Sequence, residues 1–124
     1  MLENLDQFCG TTEYYRWSSL FPRAVLTDGT HYVAEKAGAY WLMDAIASHQ
    51  PAIKRHPDAR LRDIQFWRLR VSEDKSAVLT CVADDGCKPA VEQAIEFTDF
   101  PLPEIRLYVT LDEEQIVIML PSEY

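Results

Sequence analysis

From Arg62 onward the chain alternates. Ile105, Leu107, Val109 and Leu111 are apolar, while Arg106, Tyr108 and Thr110 between them are not. A period of two puts the first set on one face of a pleated strand and the second on the other. Trp67, Leu69 and Val71 alternate with Arg68 and Arg70 in the same way, and Val91, Ile95 and Phe97 alternate with Glu92, Glu96 and Thr98. Ala77 to Val82 reads as a strand returning from the turn at Glu73-Asp74-Lys75-Ser76. Ile116, Ile118 and Leu120 return from the turn at Asp112-Glu113-Glu114. Ile64 and Phe66 are out of phase with Trp67, which predicts a bulge near Phe66-Trp67. Short links between successive strands imply antiparallel neighbours, so about five strands should form a meander with one apolar face to cover.

Upstream, Leu2, Leu5 and Phe8 are spaced as a short amphipathic helix, and Tyr14 to Trp17 reads as a brief aromatic strand. Asp28-Gly29, between Ala24–Thr27 and Thr30–Val33, suits a two-residue hairpin turn. Gly38, Trp41, Leu42, Ala45 and Ile46 fall at helical spacing, which predicts one long helix over Ala34 to His49. Within it, Gly38 would permit a close approach, and Pro51 and Pro57 would mark the stop and the following loop. The expected fold is α+β: an N-terminal short helix and hairpin, then one long helix packed on an antiparallel meander of about five strands.

The 124 residues suit a single domain, 1–124, able to bury its own core without a disulfide or metal staple. No apolar run approaches the ~20 residues that cross a bilayer, and Met1 to Gly10 does not read as a secretion signal. Cys9, Cys81 and Cys87 are three thiols without framework spacing, which places the chain in the reducing cytoplasm. Cys81 lies in a strand pattern and should be core, with Cys87 exposed beside a turn. The formal charge is −8 and unevenly spread: residues 54–70 hold six basic side chains against Asp58 and Asp63, while residues 71–124 hold three basic against twelve acidic. Such a field disfavours direct binding to a nucleic-acid backbone and favours a basic protein surface.

No site chemistry stands out. His31 and Glu35 share a helical spacing with Asp44 one stripe further, which is short of the three or four convergent ligands of a zinc site. Cys87 has no local partner, and His49 and His56 could reach it only through folding. Four unclustered glycines make no phosphate loop. No cofactor is expected. Tyr14, Tyr15, Trp17 and Phe21 form an aromatic cluster that reads first as core for the N-terminal hairpin and second as a recognition patch.

Several segments together resemble a known family. They are Thr27-Asp28-Gly29, Tyr32 through Asp44 (YVAEKAGAYWLMD), Glu96 through Leu102 (EFTDFPL) and Leu120-Pro121-Ser122-Glu123-Tyr124. The chain resembles, from about Gly10 to its end, an uncharacterised family of short bacterial, plasmid and phage proteins classed as a domain of unknown function. The loop from Gln50 to Arg62 is not part of the resemblance. The family supplies no reaction or catalytic residue, but it implies a mobile-element context in which compact acidic proteins block host defence machinery.

The expected function is that of a non-enzymatic acidic binding domain that occupies a basic surface on a host protein or nucleoprotein complex, as an anti-CRISPR or anti-restriction inhibitor would. Its contact residues would be Asp84, Asp85, Asp112, Glu113 and Glu114 at the turns, with Tyr14, Tyr15 and Trp17. Two alternatives stand beside it. One is a small enzyme or ligand-binding domain with a helix–sheet pocket lined by Tyr40, Trp41 and Trp67. The other is a homodimer paired through an edge strand.

Overall fold

The computed structural model describes residues 5–112 and 114–124. Six strands form one sheet: β1 (Ala24–Leu26), β2 (Ile64–Val71), β3 (Ala77–Val82), β4 (Val91–Ile95), β5 (Glu104–Leu111) and β6 (Ile116–Met119). Their order is β1-β6-β5-β2-β3-β4, and β1 runs parallel to β6 while all other neighbours are antiparallel. The α+β class holds, but a six-stranded mixed sheet replaces the expected antiparallel meander of about five strands, and three further expectations fail.

First, no hairpin turns at Asp28-Gly29. Thr27 instead caps α1 (Asp28–Ala37), with its hydroxyl accepting from the Thr30 N–H. Second, the long helix over 34–49 is split. Gly38 adopts φ 60°, ψ 38°, a left-handed cap that ends α1, and α2 (Tyr40–Ser48) starts afresh two residues later. Only Gly takes that conformation without a Cβ penalty, so Gly38 is a stop rather than a packing notch; a Cβ there would point into open space. α2 ends at Ser48, short of Pro51 as expected, and Pro51 itself occupies the first turn of a short α3 (Gln50–Lys54), where its missing N–H costs no bond.

Third, β5 pairs with β2 and not with β4. Residues 96–103 therefore carry the chain from an edge back to the centre of the sheet. This crossing is held by backbone bonds from Thr98 N–H to the Lys75 carbonyl (2.8 Å) and from Val71 N–H to the Pro103 carbonyl (2.8 Å), with Phe100 buried beneath it. Phe97, expected to face inward, is 70% exposed just past β4.

One core lies between the sheet and the helices. Trp67, Leu69, Leu79, Cys81, Leu107 and Val109 face it from the strands, as their alternation predicts, and Val33, Leu42, Met43 and Ile46 face it from α1 and α2. Burying the Trp67 ring alone removes about 150–250 Å² from water, on the order of 4–6 kcal/mol of gross transfer free energy. Polar groups in the core are satisfied. Gln65 and Gln50, both buried, exchange amide bonds of 2.8 and 2.9 Å, and Gln65 also accepts from the Trp67 indole N–H at 2.9 Å. Burial pushes the Cys81 thiol up to about 12.

Beside that core, β1 and β6 are tied to α1 by a second polar cluster. The Glu123 carboxylate accepts from the Thr27 hydroxyl (2.6 Å), the Leu120 N–H (2.9 Å) and the Gly29 N–H (3.0 Å). A negative group at a helix N-terminus is electrostatically favoured as well as hydrogen-bonded. The Thr30 hydroxyl adds a bond to the Ile118 carbonyl at 2.7 Å. Gly29 suits this seam, because a Cβ would meet Glu123 Oε1 and Leu120 Cδ1 at 2.6 Å and displace one or both side chains.

Candidate functional site

The register of β2 runs unbroken from Ile64 to Val71 against β5, and from Phe66 to Val71 against β3, so the expected bulge is absent. Ile64 and Phe66 are out of phase with Trp67 because they point away from the helices. With them, on the same face, stand Arg68 and Arg70 of β2, Thr80 and Val82 of β3, and Arg106 and Tyr108 of β5. These side chains are half-buried or exposed, whereas Trp67, Leu69, Cys81 and Leu107 between them are fully buried. The helices take one face of β2, β3 and β5 and leave the other uncovered.

Pairing places Phe66 opposite Tyr108 and Arg68 opposite Arg106. The Phe66 and Tyr108 rings meet edge to face with centroids 4.9 Å apart, and Tyr124 meets Tyr108 in the same manner at 5.8 Å. One pleat repeat away, Arg68, Arg70 and Arg106 all point their Nε at the carboxylate of Glu104, at 3.1, 3.8 and 3.3 Å. Glu104 is their only acidic partner among the described residues, so three guanidinium charges share one negative charge. A depression of about 250 Å³ lies on this face, bordered by Phe66, Arg68, Arg106 and Tyr108 and, at its rim, by Asp84 and Asp85.

The residues singled out in the sequence are partly brought together. The turns at 83–90 and 112–115 fall at the same end of the sheet, so Asp84, Asp85, Asp112 and Glu114 share an end; Glu113 lies outside the described residues. Cations occupy that end too. Arg60 pairs with Asp58 at 2.8 Å and with Asp84 at 3.8 Å, and holds the Asp58 carboxyl down at about 2. Arg23 donates to the Asp112 and Glu114 carbonyls. The Asp112 carboxylate accepts from the Glu114 and Gln115 N–H groups, which form the turn and hold its pKa below the usual range.

The N-terminal aromatics lie elsewhere. Tyr14 is 54% exposed. Tyr15 bridges to Leu26 at the outer edge of β1, stacks on His31 with centroids 4.0 Å apart, and donates to Asp28. The Trp17 indole donates to Asp44 at 2.7 Å. His31 reaches Glu35 at 3.7 Å without Asp44, and no group of three His, Cys, Asp or Glu among the described residues could hold a metal ion. His49 bonds Gln93, His56 accepts from the Asp58 N–H, and Cys87 accepts from Arg60. Trp67 is buried, and neither Tyr40 nor Trp41 lines a cavity among those described. An apolar cleft of about 670 Å³ opens instead between α3 and the β1–β6–β5 edge, over Phe21, Ile53, Leu61 and Ile116.

Sequence reading missed Phe66, Tyr108 and the arginine trio as a unit. The signal was present: Arg68, Arg70, Arg106 and Tyr108 alternate with the core positions of β2 and β5, and Phe66 is in phase with the two arginines of β2. What the pattern could not show was that β5 is the neighbour of β2.

Fold and site together define a small α+β domain with one helix-covered sheet face and one uncovered face bearing aromatic and cationic side chains. The chain matches, over residues 1–124, the model of a family of unknown function (DUF6876), and it belongs to that family. No curated protein and no solved structure matches it. No helix among the described residues is long and apolar enough to cross a membrane.

Proposed function

We propose that the chain is a binding domain without chemistry of its own, and that its uncovered sheet face engages an anionic partner. The observation that carries this reading is the fan of Arg68, Arg70 and Arg106 around the single carboxylate of Glu104, beside the Phe66–Tyr108 pair. Arg, Tyr and other aromatics dominate binding hot spots because they combine area, donors and few rotamers. Titrating the protein with inorganic polyphosphate at low salt should shift the backbone amides of Arg68, Arg70 and Arg106. Arg68→Glu with Arg106→Glu should abolish the response. Shifts confined to other surfaces would end this reading.

A second reading keeps the acidic turns as the contact: a protein of a mobile element that covers a basic surface of a host nucleic-acid-handling complex, as an anti-CRISPR or anti-restriction inhibitor would. It is favoured by the strand register, which gathers Asp84, Asp85, Asp112 and Glu114 at one end. Replacing Asp112, Glu113 and Glu114 by lysine should then slow association with such a complex and reduce its salt dependence. Unchanged association at low salt would remove the acidic end from consideration.

A further inference from the structure

The depression on the uncovered face combines three chemistries that one ligand class satisfies together. Its floor has two aromatic rings on adjacent central strands, Phe66 and Tyr108. Beside them stand Arg68 and Arg106, which share Glu104 and carry surplus positive charge. At its rim stand Asp84 and Asp85, hydrogen-bond acceptors with no N–H or O–H of their own when ionised. An acidic peptide would match the arginines but leave the rings unused. A nucleic-acid duplex hides the faces of its bases. An unpaired base offers a flat face to the rings, an amino edge to the carboxylates and a phosphate to the guanidiniums.

Resting on the reading of this face as the anion-binding surface, we propose that it binds single-stranded nucleic acid, with a base on the Phe66–Tyr108 pair, its exocyclic amine toward Asp84 and Asp85, and its phosphates on Arg68 and Arg106. Single-strand readers recurrently use sheet-borne aromatics as stacking platforms with cations that follow the backbone. The net charge of −8 does not forbid it. At physiological ionic strength charges are screened over about 8 Å, so a phosphate in contact with the arginine trio senses it more than acidic groups beyond that distance. The rim carboxylates also make a base preference: cytosine presents an amine to them and uracil does not.

The test uses the intact chain and four probes of matched length: oligocytidine, oligouridine, an abasic phosphate backbone and poly-glutamate. Affinities come from fluorescence anisotropy, and the site from amide shifts of the unmodified protein. Oligocytidine should bind tightest, with shifts centred on residues 66–68 and 106–108. Phe66→Leu with Tyr108→Leu should weaken it at least about fivefold while leaving the abasic backbone unaffected. Arg68→Gln with Arg106→Gln should weaken all polyphosphate probes. Asp84→Asn with Asp85→Asn should erase the preference over oligouridine. Equal binding of the abasic backbone, poly-glutamate and oligocytidine at this face would overturn base recognition and leave the proposed function standing. Shifts on another surface, or no binding by any probe, would overturn both. Mapping on the unmodified chain decides the matter even if a double variant fails to fold.

Discussion

Two glutamates, each met by three donors, behave differently in this molecule. Glu123 accepts from two backbone N–H groups and one hydroxyl at 2.6–3.0 Å, at the seam between α1 and β6. Its donors are neutral, two of them backbone N–H groups, so the arrangement is closed: it leaves no excess charge of opposite sign for another molecule to meet. Glu104 is approached by three guanidiniums at 3.1–3.8 Å on an exposed sheet face. Its donors are charged side chains that outnumber it three to one, so that arrangement is open, with excess positive charge for something else to meet. The lesson is that the number of contacts does not separate structural from functional residues. What separates them is whether charge and hydrogen-bonding capacity are used up locally.

Substitution can break or sharpen this contrast. The largest effect is expected at the closed cluster. Glu123→Ala leaves the Gly29 and Leu120 N–H groups short of an acceptor and should cost about 2–3 kcal/mol in urea unfolding. Next comes Gly29→Ala, whose Cβ would collide with Glu123 Oε1 and Leu120 Cδ1, at about 1–2 kcal/mol. The two should be strongly non-additive, because removing the Glu123 side chain removes much of what the new Cβ meets. Additive losses in that double-mutant cycle would show that Gly29 matters for some other reason.

At the open cluster, Glu104→Gln should change stability by less than about 1 kcal/mol, as exposed ion pairs do. It should also tighten binding of an anionic probe and steepen its salt dependence. A large loss of stability there would erase the distinction between the two glutamates. The smallest expected effect is acid release at the α1 N-terminus. The Thr12 N–H, the Thr12 hydroxyl and the Tyr15 hydroxyl hold the Asp28 carboxyl below its ordinary value. Its contribution is therefore complete above about pH 4 and declines as pH falls through the lowered folded value. Tyr15 side-chain resonances should shift in that acidic window in the native chain and lose most of that shift in Asp28→Asn.

The segments that carry the family resemblance lie mostly in closed arrangements. Thr27-Asp28-Gly29 and Leu120-Pro121-Ser122-Glu123-Tyr124, almost a chain length apart, meet in the Glu123 cluster. Thr98 and Phe100 of the Glu96–Leu102 segment pin the crossing from β4 to β5. Gly38 ends α1 within the Tyr32–Asp44 segment. None of these roles is visible locally: Asp-Gly reads as a hairpin turn until the distant carboxylate that caps it is known.

The sequence by itself determined β2, β3 and β5 and most of their inward faces. Trp67, Leu69, Leu107 and Val109 are buried because a period of two leaves apolar side chains only one place to go. It also determined the uneven charge, and it placed Cys81 in the core. Tertiary structure decided the rest. Gly38 caps α1 and splits the helix stripe into two short helices, and β5 pairs with β2, with the crossing at 96–103 anchored at Lys75 and Val71. That pairing alone sets Phe66 against Tyr108 and Arg68 against Arg106. Alternation tells which way a side chain points, but strand order, a long-range property, decides what stands beside it.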